Sequence, residues 1–222
     1  MYKLQQMMII IDPDSNIFNH LDNDNKYYLP GEVKPAIDKL NICNSFSVVH
    51  INARSLMNKL DNLQILLEST NIKFDVIAVS ETWKTDLSAH LIYINGYNKI
   101  SNRRFDGRQE GGVALFVKNS IDYGIKTTAN IKTFESVFIE ISCEFKQKMV
   151  LGTIYRPPNT DLSNFNIGFE SVLKPLLNRN VKCILCGDYN INLLNHLSNI
   201  VTRIFLNNLF DLSVLLVIKR PT

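Results

Sequence analysis

Four apolar runs in this chain each end in a polar residue able to hold an ion, a water or a phosphate. Phe46 to Ile51 runs into Asn52, and Phe74 to Ser80 into Glu81. Met149 to Ile154 runs into Tyr155-Arg156, and Val181 to Gly187 into Asp188-Tyr189-Asn190. β-branched and aromatic runs of this length read as buried strands. In layered α/β folds strand ends gather on one rim, where sites are built. A fold is therefore sought in which four strand ends meet.

Between these runs the apolar period changes. Leu56, Leu60, Leu63 and Leu67 recur at helical spacing, with Ser55 as a candidate N-cap. Phe165, Phe169, Val172, Leu173 and Leu176 mark a second helix that Pro175 bends or ends. Ile200 to Leu209 reads as a third helix, and Leu212 to Ile218 as a last strand-like segment. Gly112 to Val117, Val137 to Ile141 and Met149 to Tyr155 are further strands, the last two joined by a polar turn at 145–148. Buried strands interleaved with helices predict a layered α/β domain, and the short turn predicts mixed sheets. Residues 1–44 are rich in Asn and Asp, hold Pro13, Pro30 and Pro35, and show no period. They read as a poorly ordered leader before a domain spanning 45–222.

Composition excludes some classes. With 45% hydrophobic and 20% charged residues the chain is neither disordered nor membrane-embedded. Its longest apolar runs fall far short of the ~20 residues of a membrane span, and the start shows no signal-peptide cleavage site. A nuclear or cytoplasmic, non-secreted protein is expected. The net charge of +3 permits a polyanionic partner without demanding one. Of the four cysteines, Cys183 and Cys186 form a C-x-x-C. Residues three apart on a strand face opposite sides, so they are expected to be reduced core thiols rather than metal ligands.

The strand-end residues suit phosphoryl chemistry. A carboxylate such as Glu81 with a neutral oxygen such as Asn52 fits hard Mg²⁺, which takes few protein oxygens and keeps its waters. Asp188 could position or deprotonate an attacking water. Asn190 and the Tyr155 hydroxyl could donate hydrogen bonds as charge builds on the phosphate. Each also has a plain alternative: Asn52 as a helix cap, Glu81 as a loop charge, Asp188-Tyr189-Asn190 as turn chemistry. Three arginines around one aromatic, Arg103, Arg104, Phe105 and Arg108, could grip a DNA backbone or form a solvated loop.

The segments HINARSLMNKL (50–60), DVIAVSETW (75–83), GGVALFV (111–117), GTIYRPPN (152–159) and CGDYNINLL (186–194) occur in this order in the endonuclease domains of non-LTR retrotransposons. The chain resembles that group most in its jockey-like and chicken-repeat branches, over about Phe46 to Thr222. These domains belong to the endonuclease/exonuclease/phosphatase superfamily, with apurinic endonucleases and type I DNases. The resemblance implies a four-layered α/β sandwich of two mixed sheets flanked by helices. It implies that Asn52, Glu81, Tyr155, Asp188 and Asn190 are catalytic, that Glu81 and Asn52 serve Mg²⁺ or Mn²⁺, and that Arg156 lies beside the scissile phosphate. The implied activity is nicking of target DNA by a monomeric domain of a polyprotein that also carries a reverse transcriptase. Where some relatives have an acid two positions after the first asparagine, this chain has Arg54. Relatives continue beyond Pro-Thr-Arg into a strand with an Asp-His pair, whereas this sequence stops at Pro221-Thr222. Truncation of the final segment, and weak or absent activity, are therefore expected. An inactive remnant, or a phosphatase or phosphodiesterase of the same superfamily, are the alternatives. None of His20, His50, His90 and His196 matches that missing histidine, and His50 is expected in the core.

Overall fold

A computed structural model describes residues 28–39, 46–83, 89–104, 110–142, 148–177, 181–193, 197–212 and 214. The elements run α1 (Pro30–Asp38), β1 (Val48–Asn52), α2 (Leu60–Ser69), β2 (Val76–Ser80), β3 (Tyr97–Asn102), β4 (Val113–Lys118), β5 (Tyr123–Ile131), β6 (Phe134–Ser142), β7 (Lys148–Tyr155), α3 (Leu162–Leu173), β8 (Lys182–Asp188) and α4 (Ile200–Asp211).

The strands form two four-stranded sheets, ordered β1-β2-β4-β3 and β5-β6-β7-β8. Each is mixed: β1 with β2 and β7 with β8 are parallel, and the other pairs antiparallel. Alternation along each strand divides the apolar residues into three cores. Val48, Val76, Ala78, Leu115, Val117, Ile139, Leu151 and Ile184 fill the space between the sheets. Val49, Ile77, Val79 and Phe116 face the other way and pack with Leu56, Leu63 and Phe74 under α2. Val150 and Ile154 pack outward against Phe165, Phe169 and Leu173 of α3 and Phe205 and Leu209 of α4. The result is the expected four layers, helix, sheet, sheet, helices.

Strands β3 and β5 have no counterpart in the sequence reading, and α1 and the start of α2 depart from it. Helix α1 lies inside the stretch read as a poorly ordered leader: Pro30 starts it, the Glu32 carboxylate accepts the Leu29 N–H at 2.8 Å, and Val33 is buried. Ser55 is not the N-cap of α2. It sits in left-handed backbone (φ 81°) and accepts from Asn58 Nδ2 at 2.9 Å, while Met57–Lys59 make a 3₁₀ turn before the helix begins at Leu60. The Leu212 to Ile218 segment lies almost wholly outside the described residues, as do 143–147 between β6 and β7. Cys183 belongs to the core under the helices and Cys186 to the core between the sheets, so the pair straddles β8 as expected. Burial pushes both thiols up to about 12, far from a reactive thiolate.

The space between the sheets is graded along the strands. In the first sheet Asn52 pairs with Ser80, Ser80 with Val113, and Val113 with Asn102. In the second, Glu135 pairs with Tyr155 and Tyr155 with Asp188. These two rows form the rim. One inward step down lie His50, Ala78 and Leu115 opposite Val137, Thr153 and Cys186. Below that the lining is aliphatic.

Candidate active site

Asn52 joins the two sheets. Its Nδ2 donates to Glu81 Oε1 at 2.8 Å and to Asp188 Oδ2 at 2.7 Å. Three residues separated by up to 136 positions in sequence thus meet through one amide. Neighbouring carboxylates repel, and an amide giving one N–H to each offsets part of that cost. Asn52 Oδ1 accepts the Arg54 N–H at 3.2 Å.

The strand-end backbone aims these groups. Glu81 (φ 54°), Trp83 (φ 47°) and Asn190 (φ 48°) all take left-handed conformations. Such conformations cost a non-glycine residue ~1 kcal/mol or more and concentrate at functional sites. Hydrogen bonding beyond the strands holds the first turn in place. Ala53 N–H donates to Ser80 O, Ser55 N–H to Glu81 O, and Leu56 N–H to Thr82 O, at 3.0, 2.9 and 3.1 Å. Thr82 and Trp83 N–H donate to Gly112 O and Gly111 O at 3.3 and 2.9 Å. Gly112 is required there: its φ is 81°, and a Cβ would lie 2.6 Å from Thr82 Oγ1. Trp83 Nε1 reaches Glu81 Oε2 at 3.3 Å, so Glu81 is held at both oxygens.

The second sheet presents Asp188 through a different device. At Gly187, one residue earlier, a Cβ would overlap the Ile154 carbonyl, so only glycine lets β8 close on β7 here. Tyr189 turns away from the rim into the helical core, its ring centroid 5.9 to 6.3 Å from those of Phe165, Phe169 and Phe205. Asn190 N–H donates to Asp188 Oδ1 at 3.0 Å, fixing the carboxylate, and Asn190 Nδ2 donates to Arg156 O at 2.7 Å.

Tyr155 is buried on the same rim. Burial and the charges of Glu81, Asp188 and Glu135 raise its phenol well above the ordinary value, against a smaller pull from Arg104. The hydroxyl stays protonated across the working range and can act as a donor. His50, one step below, lies with Nε2 3.1 Å from Ser80 Oγ, and burial lowers its imidazole to about 4. It is the neutral core histidine expected.

Arg156 is placed differently from the expectation. It is 4% exposed, and its guanidinium donates to Tyr189 O (2.6 Å), Asn190 O (2.6 Å), Thr160 O (2.7 Å) and Thr160 Oγ1 (3.1 Å). It fastens the loop after β8 to the loop after β7. The aromatic ring of Phe165 lies 5.8 Å below it. Arg103 is exposed, Arg104 turns toward Glu135, and Arg108 lies outside the described residues. Glu135, Trp83 and Ser80 belong to the site and were not singled out from sequence. Glu135 could have been found from its position two residues before the inward-facing Val137, the same alternation that places Tyr155.

Among the described residues no group of three or more His, Cys, Asp or Glu could hold a metal. The donor set still fits Mg²⁺, which needs one or two carboxylates beside water and substrate oxygens. Glu81 would be the holder. Asn52 turns its nitrogen, not its oxygen, toward that carboxylate.

Solved structures share this fold at low sequence identity. The endonuclease domain of TRAS1, a telomere-specific non-LTR retrotransposon, matches with TM-score 0.55 and 14% identity over 74% of this chain and 69% of that one. The Xenopus laevis APE2 catalytic domain matches with TM-score 0.54 and 17% identity, over 73% and 67%. The human Nocturnin catalytic domain gives TM-score 0.49 and 16% identity over 66% of this chain, which spans only 60% of that one. None of the curated proteins matches in sequence. The fold is the DNase I-like α/β sandwich of the TRAS1 and APE2 domains. The family model named endonuclease/exonuclease/phosphatase matches residues 41–207, three quarters of the chain and every site residue above, so the chain belongs to the endonuclease/exonuclease/phosphatase family.

Proposed function

We propose that this chain is a metal-dependent endonuclease domain that hydrolyses a phosphodiester bond in DNA, as part of a retrotransposon polyprotein. The observation that carries the reading is the Asn52 amide holding Glu81 and Asp188 together across the two sheets. Members of the family are hydrolases, nucleases and phosphatases, and generally use divalent metals. The likeness to a retrotransposon endonuclease supports the DNA reading alongside the SETW, YRPP and GDYN segments.

Asp188, held by Asn52 and by the Asn190 N–H, orients the attacking water and takes its proton. The protonated Tyr155 hydroxyl donates to a non-bridging oxygen as charge accumulates there. Glu81, fixed by Asn52 and Trp83, would hold Mg²⁺. When bound, the ion would supply positive charge that offsets the negative charge building on the phosphate. As the water oxygen bonds to phosphorus the P–O3′ bond breaks and the departing 3′-oxygen takes a proton from solvent, leaving a 5′-phosphate and a 3′-hydroxyl, the primer that a reverse transcriptase in the same polyprotein would extend. That reading implies a DNA partner and action in the nucleus. Among the described residues no helix is long and apolar enough to cross a membrane.

The inward turn of Arg156 favours one second reading, a phosphatase of the same family, because it removes a cation expected to track the nucleic-acid backbone. Supercoiled-plasmid nicking with Mg²⁺, with chelator, and with Glu81→Ala tests the first reading. A phosphomonoester assayed in parallel tests the second. Metal-dependent nicking lost in Glu81→Ala supports the nuclease. Monoester turnover without nicking supports the phosphatase. A folded protein that does neither overturns both and leaves the inactive alternative.

A further inference from the structure

Glu135, the second residue of β6, lies directly opposite Tyr155 on the inner face of the rim and is 4% exposed. A carboxylate so placed is costly unless a cation answers it. Arg104 does: its Nε lies 3.8 Å from Glu135 Oε1, with only 11% of its side chain exposed. The chain is led to that spot. Asn102, two residues earlier, ends β3 with its Nδ2 donating to Ala129 O and Ser136 O at 3.0 Å each, which pins the strand end beside Glu135. Gly111 keeps the space open. A Cβ there would lie 3.3 Å from Glu135 Oε2, 3.4 Å from Tyr155 Cε1 and 3.5 Å from Arg104 Cδ. Three side chains therefore converge on one point at the edge of the Asn52–Glu81–Asp188 centre.

We propose that Glu135 is a positioning residue that holds Arg104 beside Tyr155, so that the Arg104 guanidinium meets a phosphate oxygen of the substrate. This rests on the phosphodiesterase reading above and assigns the cation that Arg156 does not supply. At 3.8 Å the Glu135 carboxylate is within ion-pair reach of Nε, so it holds the guanidinium at this edge by charge and leaves its planar face of donors to match a phosphate. A cation at this place also fits the field of the site, since Tyr155 faces the carboxylates of Glu81, Asp188 and Glu135 with Arg104 as the opposing charge. Arg156 points the other way, its guanidinium donating to backbone carbonyls of the loops after β7 and β8.

The test compares wild type, Arg104→Gln, Glu135→Gln, Glu135→Asp and the Arg104→Gln/Glu135→Gln double variant, each checked for folding by thermal unfolding. Two probes are used, a short DNA duplex in Mg²⁺ at several salt concentrations, and inorganic phosphate followed at the Arg104 Nε–H NMR resonance. Arg104→Gln should weaken duplex binding about tenfold and lower the salt slope by about one. Glu135→Gln should do the same, the double variant should bind no worse than either alone, and Glu135→Asp should recover part of the loss. Phosphate should move the Arg104 resonance in wild type and much less in Glu135→Gln. Multiplying losses in the double variant, or a binding constant indifferent to Arg104→Gln, overturn the proposal. A resonance that responds to phosphate in a protein that binds no duplex upholds the pair and overturns the DNA reading. A silent resonance in a protein that nicks DNA through Glu81 does the reverse.

Discussion

The two sheets bring their residues to the rim by opposite means. The first sheet delivers Asn52 on the end of β1 and Glu81 on a strained turn after β2, with Glu81 and Trp83 in left-handed backbone held by loop-to-loop hydrogen bonds. The second delivers Tyr155 and Asp188 on the last residues of β7 and β8, with the loops that follow locked by a buried cation and an aromatic anchor and left-handed non-glycine backbone confined to Asn190. One half stores conformational energy at its functional carboxylate. The other holds the functional carboxylate in place through a fastener that does no chemistry. Strain and rigidity are alternative ways to fix a side chain, and here they face each other across one amide.

The comparison breaks most sharply at the fastener. Arg156→Ala should destabilise the chain by about 3–5 kcal/mol, because it strands buried carbonyl acceptors and leaves the loop after β8 unheld. Urea unfolding measures it, and a loss under ~1 kcal/mol would show that the clamp is incidental. Arg156→Lys keeps the charge but not the fork, and should recover less than half of the loss.

Next in size is a pH effect seated between the halves. Burial holds the His50 imidazole at about 4 rather than 6.5. The unfolded chain therefore binds a proton that the folded chain refuses between these values, and stability must fall as pH falls through that window. Unfolding free energy should drop by about 2 kcal/mol from pH 7.5 to pH 5, and His50→Gln should flatten the change. An unaltered slope in that variant would assign the effect elsewhere.

Smaller, and of opposite sign, is the release of strain on the first half. Glu81→Gly should stabilise the chain by about 1 kcal/mol by relieving the left-handed backbone, while nicking is lost. Destabilisation there would mean that the Asn52 and Trp83 bonds to Glu81 outweigh the strain.

Much of this was legible beforehand, for a physical reason. The runs ending at Asn52, Glu81, Tyr155 and Asp188 are strands whose alternation and termination are local properties, so the sandwich and the meeting of these residues could be read from spacing and resemblance. β3 and β5 were not, since Tyr97–Asn102 and Tyr123–Ile131 are half-exposed strands with weak apolar patterning. α1 was missed because a proline-bearing helix resting on little more than Val33 leaves almost no period to detect. The clamp made by Arg156 was not legible because sequence shows that a cation follows Tyr155 but not which side of the loop it takes. Its partners, the carbonyls of Tyr189, Asn190 and Thr160, are backbone atoms that every sequence possesses.

Tyr189 carries a consequence outside the chemistry. Its ring touches Phe165 and Phe169 of α3 and Phe205 of α4, while its neighbours on either side are the carboxylate and the amide at the rim. The alignment of Asp188 is thus written partly in the packing of two helices on the far side of the sheet. In evolutionary terms position 189 should drift only among flat rings, and only in concert with 165, 169 and 205. A lineage freed from the need to keep Asp188 aligned would be expected to lose that concert before it loses the fold.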